Sequence, residues 1–424
     1  MRNTLIKNAL LITCAVLIIG SPCPIMAADV LLQENDLEYL GAFRLPSGAI
    51  GCSDESKCSF HYSSGNTFPS PIAYNSQNNS LFITGHIYNQ WVAEVEIPSL
   101  VNTSNLNSLN TANVLQSFAD LVNGKRGNLG PGESYIENGG ILAGMLMNGP
   151  KLLISDYAYY DAGYEAVYSH FTANANWTQN GVGFSGMKTV GEASASGVGK
   201  TAGYMARIRS SWQQQLGGTA LTGRSNIAII SRTSYGPAIF SFDPDIVGVS
   251  NPTPATALCY YDNDHQTLGI WDNNPTQYVA KADMINGVVF PEGSRSILFF
   301  GRHGSTNCYG TGAQCNDPTA DDQGVHSYPY EYQVWAYDAN DLAAVKNGSS
   351  NPWDPIPYTV WNFNLPFEND ARIIAGVAYD PATQRIYVSQ DHGDGNKPVI
   401  HAFRVNLSVL PQPPAAPENL RIKN

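Results

Sequence analysis

Apolar residues along this chain come in short runs, cut every few positions by Gly, Pro, Asn or Asp. Such punctuation predicts many short strands and few helices. One pattern recurs five times: an apolar strand, a polar turn, a second strand closing on Gly or Ser, then a polar cluster. The first strands are expected at 71–75, 140–144, 202–206, 287–291 and 376–380, and the second strands at 81–86, 152–156, 228–232, 298–302 and 386–390. The polar residue after each Gly or Ser is His86, Asp156, Arg232, Arg302 or Gln390, at intervals of 70, 76, 70 and 88. Third strands follow at 91–97, 237–242, 332–337 and 399–405, with a less regular copy at 166–171. Fourth strands are expected at 257–261 and 358–363, and less clearly at 114–118 and 183–190.

Five units of four antiparallel strands predict an all-β, five-bladed β-propeller. The mean spacing of 76 residues is too long for the WD40 unit of about 40–45. A β-sandwich would leave five equivalent polar clusters unexplained. The last unit runs out of chain after three strands, while 37–45 is an orphan strand at the other end. Placed as the outer strand of blade five, it closes the ring and removes an open sheet edge. Helix is expected only at 210–216 and at 338–347, where Asp338 can cap the start and Gly348 the end.

Residues 1–27 read as a signal peptide: Arg2 and Lys7 precede an apolar core at 9–20, and Ala27 and Ala28 precede the polar Asp29. That core is shorter than the roughly 20 residues a membrane span needs, and no other stretch qualifies. The chain therefore divides into a signal at 1–27, a propeller at 28–409 and a Pro-rich tail at 410–424, and the protein is expected to be secreted or periplasmic. Cysteine usage agrees. Cys52 with Cys58, and Cys308 with Cys315, bracket short polar loops and read as disulfides of an oxidising compartment. Neither pair has the Cys-x-x-Cys spacing of zinc sites, and Cys259 reads as a buried free thiol.

Only 14% of residues are charged, and without 1–27 the balance is 21 basic against 35 acidic, a net charge of −14. A field of that sign argues against nucleic acid and anionic lipid as partners. Two other classes fall on motif grounds. The run 196–201 ends in Gly-Lys-Thr, but Ser194 stands where a P-loop needs glycine, and no Gly-x-Ser-x-Gly nucleophile elbow occurs.

In a propeller the chain leaves the second strand of every blade on one face, so the clusters 86–89, 156–160, 232–235, 302–303 and 390–392 should converge there. They hold three of the eight histidines, two Arg, two Asp and several Tyr, but no Lys or Glu. Polar residues at strand ends also tie blades together, which is the plain alternative for any one of them. As a set they suit a carbohydrate: aromatic rings stack on pyranose faces, and forked donors and carboxylates pair with hydroxyls.

Glycoside hydrolysis needs two carboxyl groups, for which Asp156 and Asp391 are the candidates; Glu137, Asp283 and Glu292 lie near other strand ends. Lyase chemistry on a polyuronate instead needs a cation at the sugar carboxylate and a base for the C5 proton. His303 and His392 join the two Asp as catalytic candidates, and His86, Tyr157, Tyr159, Arg232, Arg302 and Gln390 are the expected substrate contacts. No cofactor is assigned, although the three histidines at the mouth are the right kind of ligand for a divalent metal. The expected function is a glycoside hydrolase or polysaccharide lyase, with a non-catalytic glycan- or protein-binding propeller as the alternative and an acidic polysaccharide as the favoured ligand.

The runs 376–390, 41–46 and 290–301 resemble secreted bacterial β-propeller proteins, a likeness covering roughly 37–406. By fold the chain is similar to five-bladed glycosidases of the arabinanase and fructosidase type. Their catalytic carboxylate motifs are not recognisable here, so that resemblance carries over no residue.

Overall fold

The computed structural model describes residues 29–61, 69–137 and 139–407; the expected signal peptide at 1–27 and the tail at 410–424 lie outside them. The fold is an all-β, five-bladed propeller. Blade one is Ile72–Asn75, Ser80–Thr84, Val92–Glu96 and Val114–Ala119. Blade two has three regular strands, Ile141–Asn148, Lys151–Tyr157 and His170–Asn174. Its fourth position is an irregular segment whose Lys188 exchanges both backbone hydrogen bonds with His170. Blade three is Met205–Arg207, Ala220–Thr222, Ile239–Phe242 and Ala255–Cys259. Blade four is Met284–Val289, Ser296–Gly304, Tyr330–Asp338 and Thr359–Asn362, with a small hairpin of Cys308–Gly310 and Gly324–His326 inserted between its second and third strands.

Blade five takes Ile374–Asp380, Arg385–Asp394 and Lys397–Val405 from the end of the chain and Leu37–Arg44 from its start. Leu37 pairs with Val405 and Arg44 with Val399, so the ring closes as expected, with the N-terminal strand as the outer strand of the last blade. The apolar core is divided into wedges between blades. Phe82, Leu152 and Phe171 fill the wedge between blades one and two, and Phe300, Tyr332, Ile386 and Val388 that between four and five.

The inner strands pack closely at the axis, and glycine makes that possible. A Cβ on Gly144 would stand 1.9 Å from the carbonyl oxygen of Gly203, just before the next inner strand, and one on Gly376 would stand 2.8 Å from Ser70 O. Both glycines follow a register shift in the inner strand, which turns it toward its neighbour.

One strand assignment is corrected. The run 228–232 is a turn, and the second strand of blade three is Ala220–Thr222. Ala228 is buried and Ile230 packs on the core between blades three and four, so the run looks like a strand because it fills a core without pairing. The two expected helices form, as Gln213–Leu216 and as Ala339–Lys346 with Asp338 accepting from Asn340 N, and single turns not expected from the sequence form at Glu55–Cys58 and Trp177–Asn180. The run with the P-loop ending forms a short helix, Ala195–Thr201, whose Lys200 lies over the Tyr260 ring.

Both cysteine pairs are disulfides, Cys52–Cys58 and Cys308–Cys315. Cys259 is a buried free thiol whose pKa burial pushes up to about 12. Among the described residues no helix is long and apolar enough to cross a membrane.

Candidate functional site

The two faces of the propeller differ. On one lie the hairpins joining first to second strands; on the other lie the ends of the second strands and the connectors into each next blade. The second face carries a groove of about 570 Å³ between blades one and two. Tyr88 comes from the loop after the second strand of blade one, Tyr159 and Tyr160 from the same loop of blade two, and Tyr135 and Arg126 from the connector between them. Tyr88, Tyr135 and Tyr160 are 62%, 61% and 59% exposed. Three large rings left in solvent around one depression make it the candidate site, since such surface is normally buried.

The groove is held from beneath. Arg126 donates through Nη1 to Ile87 O at 3.3 Å and to Gln90 Oε1 at 3.1 Å, and through Nη2 to Tyr88 O. Burial lowers its pKa, while the Asp156 charge acts the other way. His86 is buried under the same loop: its Nδ1 accepts from Tyr88 N at 3.3 Å, and the two rings are 4.9 Å apart. Burial and the neighbouring His61 lower the His86 pKa, which favours the neutral ring that this contact needs. Arg232 does the equivalent for blade two. Its Nη2 donates to Tyr159 O at 3.2 Å and its Nη1 stands 4.0 Å from Asp161 Oδ2.

Asp156 is fully buried at the end of its strand. Its Oδ2 accepts from Gly127 N at 2.9 Å, and Oδ1 has no hydrogen-bond partner among the described residues. Burial pushes its pKa up to about 7, against the pull of the Gly127 hydrogen bond and of Arg126. Tyr157 beside it is buried with its hydroxyl unpartnered among the described residues, and burial raises its pKa to about 12.

A second group of expected residues gathers at blades four and five. Arg302 is buried; its Nη1 donates to Ala371 O at 2.9 Å and its guanidinium lies 3.8 Å above the Tyr330 ring. On one side Asp283 Oδ2 faces His303 Nδ1 at 2.9 Å, and Asp283 also accepts from Gly304 N and Ala280 N. On the other, Asp391 Oδ2 faces His392 Nδ1 at 2.8 Å. Burial by itself lowers the His303 pKa, but the charge and hydrogen bond of Asp283 outweigh it and the net shift is upward. Burial raises the Asp391 pKa against the opposing pull of His392. Gln390 is buried between His401 and Tyr332, donating to the Tyr332 hydroxyl at 3.0 Å.

The hydrogen bonds and ion pairs of the expected residues thus run within two groups, one at blades one to three and one at blades four and five. Between them the axis is closed by side chains bridging the inner strands. Gln90 Oε1 accepts from Leu142 N, Ser225 Oγ donates to Ala143 O, and Asn286 links Asn226 N to Ile374 O. Arg224, 1% exposed, belongs to this closure and donates to Gly236 O and Asn226 O. Among the described residues no group of three or more His, Cys, Asp or Glu is placed to hold a metal ion. His86, His303 and His392 are therefore not gathered into a metal centre.

Arg126, Tyr135 and Arg224 escaped the sequence reading. Arg224 follows Thr222-Gly223 as His86 follows Thr84-Gly85, and that parallel was available to find it. Scanned against protein-family models and against curated proteins, the chain matches none.

Proposed function

We propose that this protein is an exported propeller that binds a glycan in the tyrosine-lined groove between blades one and two, with an acidic polysaccharide as its favoured ligand. The observation that carries the reading is the exposure of Tyr88, Tyr135 and Tyr160 around one groove with Arg126 at its base. Tyrosine faces stack on the C–H faces of sugar rings, and a guanidinium offers forked, charge-assisted donors to a uronate or sulfate. Residues 1–27 act as the export signal and 410–424 as a tail. Two disulfides fit an oxidising destination, secreted or periplasmic.

A catalytic reading is favoured by one observation. His303 and His392 each carry a carboxylate on Nδ1, an arrangement that orients an imidazole as a general base, and the charges of both carboxylates act on Arg302. In a polysaccharide lyase one of these bases would take the C5 proton while a cation stabilises the uronate.

The test is a panel of acidic and neutral polysaccharides, measuring retention, reducing ends and the ultraviolet absorbance of unsaturated uronate. Retention that Tyr160→Ala weakens, with no new ends, supports the binding function. New ends alone identify a hydrolase, and new ends with absorbance a lyase. No retention and no product on any glycan would refute the carbohydrate reading.

A further inference from the structure

The inner strands of all five blades enclose a cavity of about 440 Å³ that reaches the hairpin face, opposite the tyrosine groove. Its walls are apolar, with Ile72, Met145, Met147, Met205, Phe290 and Val377 contributing. The buried bridges of Gln90, Ser225 and Asn286 separate it from the other face. We infer that this blind channel binds a neutral, largely apolar small molecule with a hydrogen-bonding head at its open end.

Size comes first. The volume lies within the roughly 300–1,000 Å³ of clefts that bury a small organic ligand. Chemistry follows from the lining. Water in an apolar channel finds few partners, so an apolar body that displaces it is favoured. Three unbranched thioethers let the walls adapt to a ligand's shape.

The mouth sets the charge. Arg209 is neutralised by Asp29 at 3.1 Å and Glu292 at 3.3 Å. Arg207 donates to Met147 O at 2.9 Å and to Asn148 Oδ1, and the charges of Asp245 and Asp243 act on it. With both cations answered, an ion entering the channel would lose water without gaining a counter-charge. Ser76, Gln77 and Ser210 remain at the rim for a hydroxyl or carbonyl.

The experiment titrates the purified protein with two fluorescent probes of one ring system, neutral N-phenyl-1-naphthylamine and its sulfonate, anilinonaphthalene sulfonate. Saturable one-site binding of the neutral probe is expected, with the sulfonate weaker by about tenfold for want of a counter-charge. Ala206→Phe, which fills the channel, should abolish binding. Gln77→Trp, on an exposed turn at the mouth, should weaken it by roughly fivefold while leaving the fold and glycan retention intact. No saturable binding, equal affinity for both probes, or indifference to Gln77→Trp would each overturn the inference.

Discussion

The guanidinium of Arg302 lies 3.8 Å from the centre of the Tyr330 ring, and Tyr330 in turn donates its hydroxyl to Asp317 Oδ2 at 2.8 Å. His326 Nδ1 meets the same carboxylate oxygen at 2.9 Å. One arginine thus connects the second strand of blade four to the inserted hairpin, and through Ala371 O to the entry of blade five. Its position at a strand end, which in the sequence suggests a ligand contact, is also where blades are joined.

Arg302→Ala should therefore act on stability. It removes a charge-assisted hydrogen bond and a buried cation–π contact, together about 2–4 kcal/mol. Thermal unfolding should shift down clearly, while glycan affinity at the groove of blades one and two should hold. A variant with wild-type melting and lost affinity would instead make Arg302 a ligand contact.

Asp156 gives a pH prediction. Its native pKa is pushed up to about 7 by burial, so between the ordinary carboxylate value and about 7 the folded chain holds a proton that the unfolded chain has released. Its contribution to stability is present below about pH 4 and is lost as pH rises to about 7. Asp156→Asn should flatten that part of the profile. Chemical unfolding of both proteins from pH 4 to 8 measures it, and parallel curves would mean that Asp156 is ionised throughout.

His303 titrates in the opposite setting. Burial opposes its charge, but Asp283 more than compensates and the native pKa is raised. The stability it adds is full below about pH 6.5 and fades as pH rises through the native value. Asp283→Asn should lower the His303 pKa, since burial would then be opposed only by the backbone hydrogen bond at Thr276. Its proton NMR titration reads this, and an unchanged midpoint would assign the shift elsewhere.

The parts of the molecule that repeat were legible in the sequence, and the parts that do not were hidden. Blade number and ring closure follow from strand pairing, which every blade must satisfy, so 37–45 had one place to go. The second strand of blade three was misread because Ala220–Thr222 is only three residues long, while 228–230 is more apolar and lies in a core as a turn. In the groove, Tyr88, Tyr159 and Tyr160 stand in the repeated clusters. Arg126 and Tyr135 come from the connector between blades one and two, outside the repeated clusters, and only the fold shows that connectors return to the same face. The channel was invisible for another reason: Met145 and Val377 have the apolar pattern of any core strand.

Tyr135 and Tyr160 test the groove directly. Each is mostly exposed, so truncation removes little packing from the fold. Tyr135→Ala and Tyr160→Ala should each weaken glycan binding by roughly fivefold to tenfold, about 1–1.4 kcal/mol, the scale of an aromatic contact. Melting should stay within a degree or so of wild type, because exposed changes of this kind cost about 0.5 kcal/mol or less. Affinity chromatography and calorimetry on the same samples separate the two effects. Unaltered affinity in both variants would move the glycan site to blades four and five.

The closing strand can be tested at one atom. Gly41 sits at the irregularity where Leu37–Arg44 bends along blade five, with φ +124, and an added Cβ would stand 2.6 Å from the carbonyl carbon of Val101. That neighbour is backbone, fixed by the hydrogen bonds of Ala42 N to Val101 O and of Val101 N to Ala42 O. Gly41→Ala therefore combines a left-handed backbone with a clash that no side-chain rotation relieves. Gly149 separates the two contributions: its φ is +57, and nothing lies within 4 Å of its Cβ position. Gly149→Ala should cost about 1 kcal/mol from conformation alone. Gly41→Ala should cost roughly 3 kcal/mol, because backbone must move in the blade that seals the ring. Urea unfolding midpoints compare them. Equal costs would mean that the N-terminal strand yields without disturbing its neighbours, and the ring would then owe little of its stability to that closure.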